Sequence, residues 1–265
     1  NENDEAIKLC FKALEIDNQS KEAYYNLAIC YQEIGEIKKS TEYFKKANNI
    51  RDSKERYLYG LYFNEIMDEF YEEFNKTKDS SRHSSLLQAL SNHHYYAFSE
   101  DLDYKFCQEG LKYIYLKNLN NNSINKDNFH NELILLSKNK LKHKKNQKLL
   151  TNGLQSGGNI FLEDVEPINT LKKIILNELE NYRKKFHNNN DLLFLEWPKE
   201  FSLNGWFVEI ESQGYLKPHI HERGWISGSY YIKMPKIKRN NNQGAISFGY
   251  DNDDFNKKIT NKEEK

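Results

Sequence analysis

Apolar and aromatic positions recur at helical spacing along the N-terminal part of the chain, then give way to alternating, glycine-punctuated runs. Ala6, Cys10, Ala13 and Ile16 share one helix face, and a shift of 34 residues superimposes them on Ser40, Phe44, Ala47 and Ile50. Tyr24, Leu27, Ala28 and Tyr31 precede Gly35, and Ser40, Phe44 and Ala47 follow it, which predicts helix, turn, helix. From residue 54 to about 119 the periodicity continues through Tyr57, Leu58, Leu61, Tyr62, Ile66, Phe70 and Tyr71, then Leu86, Leu87, Leu90, Tyr95 and Phe98. A polar, Asn-rich run at 120–128 predicts a loop, and KNKLKHKKNQK at 138–148 a basic linker or solvated helix face. Past Leu149, Gly157-Gly158 lead into a short apolar run, Ile160-Phe161-Leu162, read as a turn and a strand. Pro167 suits a first helical turn, and Ile168, Leu171, Ile174, Ile175, Leu179 and Tyr182 then mark an amphipathic helix to about His187. β-type segments follow at 205–210, 215–221, 225–234 and 244–250. The class expected is α+β multidomain: an all-α helical array, then an antiparallel barrel or sandwich.

The 34-residue period, with small residues Ala28 and Ala47 where helices must approach closely, is the pattern of tetratricopeptide repeats. Asn18 and Asp52 stand where that pattern usually has proline. It begins at Asp4-Glu5-Ala6-Ile7 inside a second helix, and because about three repeats are needed for a stable stack, either further repeats are expected upstream of Asn1 or the following helices cap the stack. The expected division is repeats at 1–53, their helical continuation at 54–118, a polar and basic linker at 119–148, and a β-domain at 149–265.

Composition narrows the function classes. With 38% hydrophobic and 14% aromatic residues, the 265-residue chain can build folded cores. Lys+Arg 39 balance Asp+Glu 39, so no global charge recruits nucleic acid or an anionic membrane surface. No stretch approaches the roughly 18 apolar residues of a membrane span, and NENDEAIKLC lacks signal-peptide features. A soluble, cytoplasmic protein without nucleic-acid or membrane partners is predicted. Cys10, Cys30 and Cys107 are widely spaced, with no C-x-x-C pair for zinc or redox work.

Candidate chemistry concentrates near the C-terminal end. No G-K-[ST] or G-x-G-x-x-G follows Gly157-Gly158, so no phosphate loop is supported. His83, His93 and His94 lie among helical apolar positions, where packing is favoured over metal binding. His219 and His221 are two apart, and on a strand both imidazoles would project from one face toward one ion. Gly224-Trp225 and Ser227-Gly228-Ser229-Tyr230-Tyr231 follow, the layout of a mononuclear iron pocket with a small-residue wall. Trp206 and Trp225 read as core aromatics rather than substrate-stacking groups.

The run GWFVEIESQGYLKPHIHERGWISGSYYIKMPK, residues 205–236, resembles the 2-oxoglutarate/Fe(II) oxygenases of marine-bacterial type that carry N-terminal tetratricopeptide repeats and a PH-x-H…GW-[LI]-SG-x-YY block. LLTNGLQSGGNIF, 149–161, is similar to the start of that domain, and the resemblance covers about residues 149–250. It implies a double-stranded β-helix, or jelly roll, with Fe(II) as metal and 2-oxoglutarate as co-substrate. The implied activity is a dioxygenase that hydroxylates a C–H bond of a protein or peptide recruited by the repeats. His219 takes the position of the first iron-binding histidine. His221 falls where many relatives have aspartate, which leaves open a three-histidine centre or an anionic ligand from Glu222 or water. Tyr231 or Ser229 would hydrogen-bond 2-oxoglutarate. The family places a distal histidine and a 2-oxoglutarate-binding arginine well beyond this block, but no histidine follows His221. The chain is therefore expected to be a fragment, inactive as it stands. Two rival readings are a non-catalytic tetratricopeptide scaffold with a degenerate metal site, and a metal-binding barrel without 2-oxoglutarate dependence.

Overall fold

In the computed structural model, residues 2–119, 126–142, 144–145, 147–234 and 244–249 are described. They divide into two compact units: Asn1–Gln108 with Glu222–Trp225, and Glu109–His221 with Ile226–Lys265. The described residues are mostly helical with one small sheet. Among the described residues no helix is long and apolar enough to cross a membrane.

The first unit is an array of six helices, α1 Glu2–Ile16, α2 Lys21–Glu33, α3 Ile37–Lys46, α4 Ser53–Phe63, α5 Met67–Thr77 and α6 Ser85–Phe98. Ser20 and Ser84 cap α2 and α6 by accepting a bond from the backbone N–H three residues on. From α1 to α5 each helix packs on the next, α6 packs back on α4, and the inward faces bury Leu27, Ala28, Phe44, Ala47, Leu58, Leu61, Tyr62, Phe70, Phe74 and Leu87. The turn between α2 and α3 closes with three bonds, from Ile34 N to Cys30 O, Gly35 N to Gln32 O and Glu36 N to Tyr31 O. Between α4 and α5 the same three recur, from Asn64 N to Gly60 O, Glu65 N to Tyr62 O and Ile66 N to Leu61 O. Gly35 (φ 85°) and Glu65 (φ 62°) occupy the same left-handed position. The two helix pairs are thus copies of one turn-closed unit.

The helical continuation expected as far as 119 ends at Phe98 instead. Ser99 turns left-handed (φ 59°) and caps α6 through a bond to Tyr95 O. An Asx turn then follows, with Asp103 N donating to Asp101 Oδ1, and the Tyr104 hydroxyl fastens the chain to Ser81 O and Ser84 N.

The second unit begins with a 3₁₀ turn, Gly110–Tyr113, and contains α7 Lys126–Leu141, α8 Glu166–Phe186 and the short α9 Leu192–Leu195. Much of the stretch read as a linker is therefore ordered. Phe129, Leu133 and Leu136 form an apolar stripe on α7 that packs with Ile160, Ile168, Leu171 and Phe207, and this cluster is the unit's core. Residues 120–125 of the Asn-rich run lie outside the described residues.

The sheet has three antiparallel strands in the order β1 Lys144–Lys145, β2 Leu150–Ser156 and β3 Val208–Leu216. This differs from the strands expected. Residues 160–162 form a 3₁₀ turn after β2, because Asn159 caps Phe161 N. The two segments at 205–210 and 215–221 are replaced by the single strand β3, which stops before the histidines. Neither 225–234 nor 244–249 pairs as a strand; Tyr230 and Ile232 pack individually against the core. Tyr250 and the tail 251–265 lie outside the described residues.

Candidate metal centre

The approach to His219 is fixed by β2. Leu150 faces Leu216 and Thr151 faces Tyr215, but the next pair is Gly153 with Ile210, so residues 211–214 of β3 oppose Asn152 alone in a wide irregularity. Asn152 (φ 45°) and Gln213 (φ 63°) take left-handed conformations to make it. Backbones approach closely there: a Cβ on Gly214 would lie 2.2 Å from Asn152 O, and one on Gly153 2.6 Å from Glu209 O. Pairing then resumes and ends with Lys217 N donating to Leu149 O at 2.8 Å. Pro218 has no N–H to continue the ladder, and it restricts Lys217 to extended backbone.

His219 and His221 therefore lie in the loop beyond the strand, not on one strand face. They still converge. His219 Nδ1 is 2.9 Å from Lys217 O, and a carbonyl only accepts, so Nδ1 carries the proton and Nε2 presents its lone pair. That Nε2 lies 3.3 Å from Nε2 of His221, with ring centroids 4.9 Å apart at 68°. His219 is exposed and His221 half-buried. Burial, and then the neighbouring His219, hold His221 below the ordinary histidine pKa, which favours the neutral, metal-ligating form. The Trp206 ring stands 5.8 Å from that of His221, tilted 32°. Trp206 was read from sequence as a core residue; at 39% exposure it instead walls the imidazole pair.

The donor set fits a first-row transition metal. Two imidazole nitrogens about 2.1 Å from one ion, at angles of about 90–110°, stand about 3.0–3.4 Å apart, and the observed 3.3 Å lies in that range. Imidazole suits iron, zinc or copper. Among the described residues no group of three His, Cys, Asp or Glu side chains gathers at one point. Glu222, the open anionic alternative, directs its carboxylate to Arg56 within the helical unit.

The remaining candidates separate clearly. Ser229 and Tyr231 are both exposed, while it is Tyr230 that turns inward, its hydroxyl 2.8 Å from His130 Nε2 on α7. His130 was not singled out from sequence, and nothing local marks it, since its partner is 100 residues away. In the helical unit, His93 Nδ1 pairs with the Tyr62 hydroxyl at 2.7 Å, and His94 bridges the Tyr71 hydroxyl and Glu100 O, both at 2.9 Å. His83 packs against Phe106 and Trp225.

The described residues form a helical array and a second unit whose small sheet leads into an imidazole pair. Residues 204–264 match the family model described as "Putative 2OG-Fe(II) oxygenase". Members of that family take Fe(II) as cofactor and 2-oxoglutarate as co-substrate. Neither a curated protein nor a solved structure matches the chain.

Proposed function

We propose that the protein is an Fe(II)- and 2-oxoglutarate-dependent oxygenase in which His219 and His221 are iron ligands. The observation that carries this reading is the convergence of the two Nε2 atoms at 3.3 Å inside the segment that matches the oxygenase family. When bound, iron and 2-oxoglutarate supply the oxidation: O2, 2-oxoglutarate and R–H become succinate, CO2 and R–OH. The chain's own residues prepare the site. Lys217 O sets the His219 tautomer, burial favours the neutral form of His221, and the Trp206 ring stands beside that of His221. Ser229 and Tyr231, on the exposed chain after the motif, are proposed to meet the 2-oxoglutarate carboxylates. The helical array is proposed to be of tetratricopeptide type and to recruit a protein or peptide substrate. The turn at Gly35 recurs at Glu65, 30 residues on where the sequence period is 34, and this repetition of helix, turn and helix supports the first of these statements.

The test is iron-dependent formation of succinate from 2-oxoglutarate by the full-length protein, with His219→Ala as the comparison. Loss of turnover, and of the visible charge-transfer band of the anaerobic iron–2-oxoglutarate complex, is expected in the variant. Turnover unchanged by His219→Ala would overturn the site assignment. A protein that binds peptide but neither iron nor 2-oxoglutarate would be an interaction scaffold instead.

A further inference from the structure

β3 ends the sheet on one side, and among the described residues nothing pairs with its outer edge. Every residue from Val208 to Leu216 is exposed except the half-buried Gly214. Ser156 N donates to Phe207 O at 3.0 Å, so in this antiparallel ladder Phe207 and Glu209 turn their backbone groups toward β2. Val208 and Ile210 then direct their N–H and C=O groups to the open edge. Side chains alternate along the same stretch. Phe207 is buried in the core of its unit, while Trp206, Val208 and Ile210 lie on the opposite face as an apolar stripe, 39%, 40% and 50% exposed. That stripe reaches the imidazole pair, because the Trp206 ring stands 5.8 Å from that of His221. Glu209 and Glu211 are exposed as well, and among the described residues neither carboxylate joins a hydrogen bond or an ion pair.

We propose that the outer edge of β3 docks an extended peptide of alternating basic and apolar residues, added as a further strand beside the imidazole pair. The proposal rests on the peptide-substrate reading given above and names that substrate's chemistry. An unpaired edge offers main-chain hydrogen bonds to any extended chain, and the side chains along it choose which chain binds. In an added strand alternate side chains point to opposite faces. Basic residues would thus meet Glu209 and Glu211, and apolar ones the stripe of Trp206, Val208 and Ile210. The same carboxylates disfavour a second copy of this chain, whose β3 laid antiparallel on the edge would set like charges against one another. Val208 is two residues from Trp206, a rise of about 7 Å, so a peptide paired there lies within side-chain reach of the imidazoles.

The experiment uses the full chain and a short labelled peptide of alternating lysine and valine, with its glutamate–valine counterpart and an N-methylated copy that cannot pair as a strand. Fluorescence anisotropy reads affinity, and amide hydrogen exchange reads pairing at Val208 and Ile210. The lysine peptide is expected to bind, to slow exchange at both amides, and to bind about tenfold more weakly to the double variant Glu209→Lys, Glu211→Lys, which should take the glutamate peptide instead. N-methylation should abolish binding. Co(II), a spectroscopic stand-in for Fe(II), should shift the resonances of the docked peptide when held by the parent chain. A lysine peptide that did not bind, that bound without slowing those amides, or that bound the double variant as tightly as the parent would overturn the proposal. So would peptide resonances that bound Co(II) left in place. Amides already protected without peptide would show the edge covered by the chain itself or, where sedimentation gives a dimer, by a second copy, and would overturn it too. If the parent bound Co(II) no better than His219→Ala, the metal reading would fail, and exchange at Val208 and Ile210 would still decide the docking.

Discussion

The Tyr62 hydroxyl lies 2.7 Å from Nδ1 of His93, with both side chains almost fully buried between α4 and α6. Their rings meet edge to face, 5.5 Å apart at 89°. Tyr62→Phe keeps that ring contact and removes the hydroxyl bond to His93. A buried polar pair broken on one side costs about 1–3 kcal/mol, more than the 0.5–1.5 of an ordinary hydrogen bond. Urea unfolding of the variant should show a lower midpoint at unchanged slope. An unchanged midpoint would mean that the hydroxyl bond contributes nothing net.

Helix propensity and packing make opposite predictions at Gly60, in the middle of α4. Alanine is favoured over glycine in a helix by about 1 kcal/mol. A Cβ at Gly60, however, would stand 2.1 Å from Thr41 Oγ1 and 2.9 Å from Thr41 Cβ on α3. Thr41 is itself buried and its hydroxyl donates to Ile37 O at 2.7 Å, so it has little room to turn away. Overpacking of this kind costs about 1–3 kcal/mol, and packing should win. Gly60→Ala is expected to lower the melting temperature, and Thr41→Ala added to it to recover part of the loss. A rise in melting temperature for Gly60→Ala alone would show that α3 and α4 separate easily.

The same two turns show what the sequence made legible. Gly35 announced the first turn, because glycine is the usual residue for a left-handed helix end. Glu65 adopts the same conformation without any such signal, and only the repeated hydrogen bonds reveal the second copy. In the second unit the Phe129, Leu133 and Leu136 stripe was readable at helical spacing but was overshadowed by the asparagines and lysines around it. The imidazole pair was legible as a pair, though its placement on a strand was not correct: Pro218 ends the ladder, and a loop brings the rings together. The ion pair of Glu222 with Arg56 could not be read at all. Arg56 and Glu222 are 166 residues apart, and an ion pair at that separation leaves no local pattern.

Stability should change with pH at both limbs through the helical unit. Burial pushes the Asp52 carboxyl up, but the Tyr25 hydroxyl and the Arg56 and Arg223 guanidinium groups outweigh it and hold it below its ordinary 3.8. A folded-state pKa below the unfolded one stabilises above the unfolded value, and the effect is lost as pH falls through the folded one. Asp52→Asn should therefore flatten the decline in stability below about pH 4. On the alkaline side, burial and the hydrogen bond to Glu69 push Tyr57 up to about 12 from 10.0. The folded state then keeps a proton that the unfolded chain releases, so stability should fall as pH rises from 10 toward 12, and less so in Tyr57→Phe. Urea midpoints across the pH range check both limbs, and an acid limb unaltered in Asp52→Asn would count against the role given to that carboxylate.

Gly214 and Gly228 provide a paired test of how the sheet delivers His219. A Cβ on Gly214 would meet Asn152 O at 2.2 Å, Ile210 Cγ2 at 2.8 Å and Glu211 O at 2.9 Å. Two of these are backbone atoms inside the irregularity that lets β3 resume pairing at Tyr215, and backbone cannot yield as a flexible side chain can. At Gly228 nothing lies within 4 Å, so added volume there meets open space. Gly214→Ala is expected to cost about 1–3 kcal/mol and to free the Lys217 amide, whose bond to Leu149 O is the last of the pairing. Hydrogen exchange at Lys217 should quicken, and Co(II) affinity should fall with it, because Lys217 O also fixes the His219 tautomer. Gly228→Ala should leave exchange and affinity as they are. If Gly214→Ala loosened Lys217 yet bound Co(II) as tightly as the parent, the sheet would not be what holds His219 in place for the metal.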